Sequence, residues 1–137
     1  AYADAVYQLL VIHAGLEAAL ASAAPGCPDV AGLYDPHGMA RTPSLEADLR
    51  VLAPVPAPRP EPHPAAARLS ARFADLAAAA PWALLGALYV LEGSRMGSMF
   101  LARSLATGFG VTPRLGVGLD YHVAGLATRP QDWQRFK

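Results

Sequence analysis

The chain has 137 residues, which is the size of one domain. Hydrophobic residues make up 53% of the chain and charged residues 16%, a composition that excludes a disordered chain and favours close-packed helices. Eleven basic residues balance eleven acidic ones, so no positive field is present to attract nucleic acid or an anionic membrane, and neither is expected as a partner. The single cysteine, Cys27, excludes an internal disulfide, and with no secretory pattern in view the sequence predicts a cytoplasmic protein.

The first part of the chain predicts two helices joined by a loop. Apolar residues recur at helical spacing over residues 2–22, and Pro25-Gly26 predicts the end of that helix. Residues 27–38 are rich in proline, glycine and aspartate, which predicts a surface loop. A short helix follows, for which Thr42 is the expected cap and Pro43 the first helical residue.

Every second residue from Pro54 to Pro64 is proline. This pattern excludes a helix and predicts an extended polyproline stretch. A docking site for a proline-recognising module is one interpretation, and a stiff surface connector between two helices is the simpler one.

The second part of the chain contains the longest helical segment. A helix is expected over residues 65–79, with Leu69, Phe73 and Leu76 on its inner side. Pro81 then begins a segment that runs from Trp82 to about Thr107 and ends at Gly108 or Gly110. Residues 76–91 carry no charge, but proline and glycine interrupt them and the stretch is too short to span a membrane.

The end of the chain predicts a loop over residues 111–129 and then a helix. Thr128 and Pro130 are typical of a helix start, and this last helix carries Trp133 and Phe136.

Two glycines, Gly93 and Gly97, lie four residues apart inside the long helical segment. Glycine in a helix interior costs roughly 0.5–1 kcal/mol relative to alanine, so the pair indicates close approach of something to the backbone. That something is either a flat ligand or another helix. For a ligand, both glycines are expected on the wall of the largest apolar cavity.

The segment around these glycines resembles the distal helix of the bacterial heme oxygenase family. It reads Tyr-Val-Leu-Glu-Gly-Ser-Arg-Met-Gly-Ser from Tyr89, against a family pattern of roughly Tyr-Val-Leu-Glu-Gly-Ser-x-Leu-Gly-Gly. Met96 replaces the leucine and Ser98 the second adjacent glycine. The run from His13 to Glu17 is similar to the family's second helix, and Trp133-Gln134-x-Phe136 to a late helix, in the same order.

The resemblance implies an all-α, heme oxygenase-like bundle with a kinked, glycine-containing distal helix, formed by residues 1–137 as one domain. Complete members bind heme and convert it to biliverdin, carbon monoxide and iron, using oxygen and an external electron donor such as a ferredoxin or a reductase. By this resemblance Gly93, Gly97 and Ser98 are the catalytic candidates. Ser94 and Arg103 join them as candidates for binding heme. Arg103 and Arg95 are both able to pair with a propionate, and the simpler interpretation of each is a solvated helix residue. In the alternative interpretation the two glycines form a seam for close helix packing.

The family's proximal histidine lies on a helix upstream of the region that matches Tyr2, and the resemblance therefore predicts a fragment that lacks this helix and the family's last helix. His13, four residues before Glu17, is either packed and hydrogen-bonded or a substitute iron ligand. The other histidines, His37, His63 and His122, fall in loops. Two further functions stay open: a non-catalytic heme or tetrapyrrole binding or sensor protein without the proximal ligand, and another small-molecule enzyme on the same helical fold.

Overall fold

The computed structural model describes residues 1–53 and 61–136, and these residues form an all-α structure in which no strand is present. The helices are α1 (Tyr2–Ala23), α2 (Pro28–Leu33), α3 (Pro36–Met39), α4 (Thr42–Leu52), α5 (Pro64–Ala79), α6 (Leu84–Ser94), α7 (Ser98–Phe109), α8 (Asp120–Val123) and α9 (Arg129–Phe136). Short 3₁₀ turns occupy Ala24–Gly26, Pro81–Ala83 and Arg95–Gly97. The expected all-α class is confirmed. Of the alternating prolines, those at positions 54, 56, 58 and 60 lie outside the described residues.

Helix α1 is the central element and packs mainly against α5 and α4. The helical stretch Tyr2–Gly26 is also long and apolar enough to cross a membrane by length and composition. Core helices of folded domains meet the same criterion, and α1 carries more buried residues than any other helix described. In this structure α1 therefore serves as a core helix.

Two clusters of buried side chains surround α1. One joins Leu16 and Leu20 of α1 to Phe73 of α5 and to α6. The other joins Val6 and Leu10 to Leu45 of α4 and Tyr121 of α8. Burial of each leucine side chain contributes about 1.5–3 kcal/mol to the stability of the folded state. Together the clusters fix α6 and α8 relative to the same central helix.

The predicted loop over residues 27–38 is wrong, because α2 and α3 lie there. Pro28 occupies the first turn of α2, and the Asp35 carboxylate accepts hydrogen bonds from the amides of His37 and Gly38 at the start of α3. Proline and aspartate are residues that helix starts favour, so the composition that suggested a loop marks two short helices instead.

Two further expectations are wrong in the same part of the fold. Thr42 does not cap α4, because its hydroxyl has no hydrogen-bond partner among the described residues. The Glu17 carboxylate caps the helix instead and accepts hydrogen bonds from the amides of Arg41 and Thr42. Leu69 of α5 is 41% exposed, while Phe73 is buried as expected. A cap that comes from a different helix leaves no trace in the local sequence.

The boundaries predicted from proline and glycine are confirmed. Helix α5 ends before Pro81, and α7 ends at Gly110, which adopts a left-handed conformation with φ of 67°. Only glycine takes that conformation at low cost, so the expected cap is the physical reason for the end of α7. Residues 111–119 are irregular, but the predicted loop over residues 111–129 is wrong in its second half, where α8 lies; α9 carries Trp133 and Phe136 as expected.

Candidate functional site

The long segment after Pro81 is one helix interrupted by a kink. Helices α6 and α7 are joined by the 3₁₀ turn Arg95–Gly97, with Gly93 just before this turn. The Ser94 hydroxyl donates to the carbonyl oxygen of Leu91 at 2.7 Å, a bond of the kind that bends helices. Glycines and a serine that bonds back to its own helix are recognised causes of kinks. The structure therefore has the kinked, glycine-containing helix that the sequence predicts.

One side of the kink is open and apolar. Apart from the backbone around Gly97 itself, no heavy atom of the described residues lies within 4 Å of the position that a Cβ would occupy there. Val90 is 65% exposed and Phe100 69% exposed, and Met96 and Leu101 are exposed as well. We call these five residues, Val90, Met96, Gly97, Phe100 and Leu101, the kink surface. Exposed apolar groups beside an uncovered backbone are typical of a surface that another molecule covers.

Gly93 lies in a different environment from Gly97. A Cβ at Gly93 would meet the ring of Trp133 at 3.0 Å, and the rings of Tyr89 and Trp133 lie 4.9 Å apart. Helix α9 thus packs against α6 at Gly93. The expectation that both glycines line the largest apolar cavity is not confirmed: Gly93 serves helix packing, and Gly97 faces open space.

The other residues predicted for the site spread around the kink. Ser98 is buried at the start of α7, whereas Ser94 is exposed. Arg103 is exposed one turn further along α7, where its guanidinium lies 3.9 Å from the sulfur of Met99. Gly97, Ser98 and Arg103 consequently follow one another along the first turns of α7.

His13 lies inside the fold, as the packed interpretation predicts. Its Nε2 atom is 3.0 Å from the hydroxyl of Tyr121 in a buried hydrogen bond. Burial is the main cause that lowers the pKa of His13 to about 4. The charge of Glu92 acts to raise this pKa, and the charges of Arg41 and Arg95 act to lower it. The imidazole is neutral at physiological pH, and Glu17 is engaged at the start of α4 instead of with His13.

A buried ion cluster lies next to the kink. Arg41 donates two hydrogen bonds to the Glu92 carboxylate, at 3.0 and 2.8 Å, and Arg95 donates one at 3.1 Å. Burial by itself raises the pKa of Glu92, but the hydrogen bonds and charges of the two arginines outweigh it and lower the pKa. Arg95 is therefore a buried ion-pair partner, and the expectation that it is solvated is wrong.

A cavity of about 490 Å³ lies between α9 and the α2–α3 segment, and we call it the α9 cavity. Its charged walls include Arg41, Glu92, Arg95 and Arg129; its apolar walls include Leu33, Met39, Trp133 and Phe136. Neither glycine of the kink is among its lining residues. The molecule therefore presents two separate surfaces on the two flanks of one helical stretch.

The remaining histidines are placed as follows. His122 is buried, and its Nδ1 atom has no hydrogen-bond partner within the described part of the chain. Burial is the main cause that lowers the pKa of His122 to about 4, and the charges of Arg129 and Arg95 lower it as well. His63 accepts the amide hydrogen of Ala65 at the start of α5, and His37 is exposed on α3. Within the described part of the chain, histidine, cysteine, aspartate and glutamate form no group of three that is able to hold a metal ion.

Sequence reasoning missed Tyr121, Arg129 and the pairing of Arg41 with Glu92. The spacing of Glu92 and Arg95, three residues apart on a helix, is the one local signal of the ion cluster. Arg129 gives no such signal, because its guanidinium donates to the carbonyl oxygens of Arg95, His122 and Ala124. Because every residue has a backbone carbonyl oxygen, hydrogen bonds to such acceptors cannot be predicted from the residue types.

An all-α fold with a kinked glycine helix, packed on a helix that carries a buried histidine, defines the heme oxygenase-like class. The sequence model described as Heme oxygenase matches residues 1–137, so the chain belongs to the heme oxygenase family. No curated protein and no solved structure matches the chain.

Proposed function

We propose that this chain binds heme against the kink surface and belongs to the bacterial, biliverdin-forming branch of its family. The observation that carries the proposal is Gly97, uncovered and flanked by exposed apolar side chains in a member of the heme oxygenase family. A flat macrocycle needs a backbone that it can approach closely and apolar groups to contact, and this surface offers both.

The residues around Gly97 fit the two chemical parts of heme. Gly97 brings backbone without a side chain to the ring, the small Ser98 is buried directly behind it, and the exposed Phe100 and Val90 supply apolar contact. The Arg103 guanidinium, also exposed, is a suitable partner for a propionate, since guanidinium binds carboxylate through two parallel hydrogen bonds. We give Gly93 an indirect role: it seats Trp133 and so holds α9 against α6.

Bound heme, with electrons from an external donor such as a ferredoxin or a reductase, supplies the oxygen chemistry that yields biliverdin, carbon monoxide and iron. The protein's own part is to hold the ring and keep water from one face of it. Gly97 leaves space beside the backbone, and Ser94 and Ser98 provide hydroxyl groups on either side of the turn. Cytoplasmic localisation is part of the same proposal.

A second candidate is a heme or tetrapyrrole binding protein without catalysis. The specific observation in its favour is the placement of His13, whose Nε2 atom is bonded to Tyr121 in the core. His13 would have to give up this buried hydrogen bond to ligate iron, so we assign it to the core. In this candidate the kink surface would bind the ring, and His13 would stay bonded to Tyr121 in the core.

Titration with hemin, followed by its absorption spectrum, tests binding at the kink surface. Gly97→Leu is expected to weaken hemin binding at least about tenfold, because its side chain occupies the space that the ring needs. Gly108→Leu is the matched control, since Gly108 is a helical glycine of α7 with equally free space at its Cβ position. Equal hemin affinity of the two variants would refute the proposal.

Product analysis separates the two candidates. Incubation of the hemin complex with oxygen and a ferredoxin–reductase couple is expected to release biliverdin and carbon monoxide if the chain is an oxygenase. A stable complex that yields neither product would favour the non-catalytic binder.

A further inference from the structure

The α9 cavity has the composition of a ligand site and no role in the proposed function. Its volume of about 490 Å³ lies within the range of small-molecule pockets, roughly 300–1,000 Å³. One end is lined by buried arginines, and the other by Leu33, Met39, Trp133 and Phe136. Such a mixture suits a molecule with one charged end and an apolar body.

The charged end holds more buried positive than negative charge. Arg41 and Arg95 share a single carboxylate, that of Glu92. The hydrogen bonds of Arg129 go to three carbonyl oxygens, at 2.9, 3.0 and 2.8 Å, so no carboxylate of the described residues is hydrogen-bonded to it, and the charge of Glu92, which also acts on Arg129, is already shared by Arg41 and Arg95. Asp35 and Asp132 also line the cavity but are exposed, and Asp35 accepts the amides at the start of α3. Buried charges without a counter-charge are costly, so an anion here would be stabilised.

Two donors in this cluster have no partner among the residues that the structure describes. Arg95 and Arg129 are only 3% and 7% exposed, and no described residue accepts a hydrogen bond from the Nε atom of either one. The two guanidiniums are close together, because both donate to the carbonyl oxygen of Ala124. Burial and then the charges of Arg95 and Arg41 lower the pKa of Arg129 to about 10, and the charge of Glu92 opposes this shift. Buried donors of this kind normally find an acceptor.

We propose that the α9 cavity binds a small organic carboxylate, whose anionic end accepts hydrogen bonds from Arg95 and Arg129 and whose apolar body contacts Trp133 and Phe136. The apolar walls favour an organic anion over a bare inorganic one. This site is separate from the kink surface, and the proposal does not depend on heme binding.

Trp133 provides a direct reporter of occupancy. The chain has two tryptophans, so the Trp82→Phe variant leaves Trp133, on the cavity wall, as the single emitter. Titration of this variant with cyclohexanecarboxylate is expected to change the fluorescence in a saturable manner. Cyclohexylmethanol, of nearly the same shape but uncharged, should bind at least about tenfold more weakly, because it lacks the charge-assisted hydrogen bonds. Inorganic phosphate should also bind more weakly, because it has no apolar body.

A variant that fills the α9 cavity tests whether the carboxylate binds there. Gly32 lines the cavity and has free space at its Cβ position, so Gly32→Leu is expected to weaken carboxylate binding at least about tenfold. Gly108→Leu should bind the carboxylate as the parent does. Hemin affinity should be unchanged in Gly32→Leu, which keeps a failure of this proposal distinct from a failure of heme binding.

Four results would overturn the proposal: no saturable response, equal affinity for the alcohol, equal affinity for phosphate, or loss of hemin binding in Gly32→Leu. The first three comparisons use the Trp82→Phe chain alone, so they remain decisive even if the cavity-filling variant does not fold.

Discussion

The kink surface and the α9 cavity use the same stretch of helix, residues 92–98, in different ways. At the kink surface Gly97 is uncovered and its neighbours are exposed apolar side chains. At the cavity Glu92 and Arg95 are enclosed by partners from the residue before α4 and from the segment after α8. The comparison teaches that neighbouring residues of a kinked helix can serve separate surfaces, because positions three apart, such as Glu92 and Arg95, share one face, whereas adjacent positions point in different directions around a turn.

The largest expected effect concerns the ion cluster beside the cavity. Glu92→Gln removes the carboxylate that lies between the partly buried Arg41 and the buried Arg95, so the free energy of unfolding should fall by about 2–4 kcal/mol. Urea denaturation measures this value. Glu61→Gln, at an exposed position, is the control and should stay within about 0.5 kcal/mol of the parent. A loss below about 1 kcal/mol for Glu92→Gln would show that the cluster is not buried as described.

The next effect is the pH dependence of stability that the buried histidines cause. Burial lowers the pKa of His122 to about 4, against about 6.5 in an unfolded chain. The folded state thus favours neutral His122, and its contribution is fully present above pH 6.5 and is lost as the pH falls toward 4. Linkage gives about 2–3 kcal/mol over this window. His13, with its pKa also lowered to about 4, adds a loss of the same sign.

Unfolding by urea at pH 7 and pH 4.5 checks this dependence. His122→Phe should reduce the difference between the two pH values, whereas His37→Gln, at an exposed site, should leave it unchanged. Burial raises the pKa of Asp48, which acts in the opposite sense, and the comparison of variants isolates the histidine from it. An unchanged pH dependence in His122→Phe would contradict a buried, neutral imidazole.

The smallest effect distinguishes the two glycines of the kink. Gly97→Ala should raise the free energy of unfolding by about 0.5–1 kcal/mol, because alanine favours helix and its Cβ meets nothing. Gly93→Ala should not show this increase, since its Cβ would lie 3.0 Å from the Trp133 ring and the ring would have to move. Urea denaturation of both variants gives the difference. Equal stabilisation by both changes would mean that α9 does not pack on Gly93.

Local sequence signals were enough to predict the all-α class, helices α1 and α5, and the breaks at Pro81 and Gly110. They also predicted a kinked glycine helix and the family to which the chain belongs. These features depend on apolar spacing and on residues whose backbone preferences act within a few positions, so they can be read along the chain.

Tertiary structure alone decided the partners of the site residues. Trp133 covers Gly93 but not Gly97, Tyr121 binds His13, and Glu17 caps a helix whose first residue lies twenty-five positions away. The residues around Arg95 in the sequence are those expected for a solvated arginine, but Arg95 is buried and its guanidinium donates to Glu92 and to the carbonyl oxygen of Ala124. Periodicity shows which side of a helix is apolar, but contacts between distant segments depend on how the helices pack together, and that packing is a property of the whole fold.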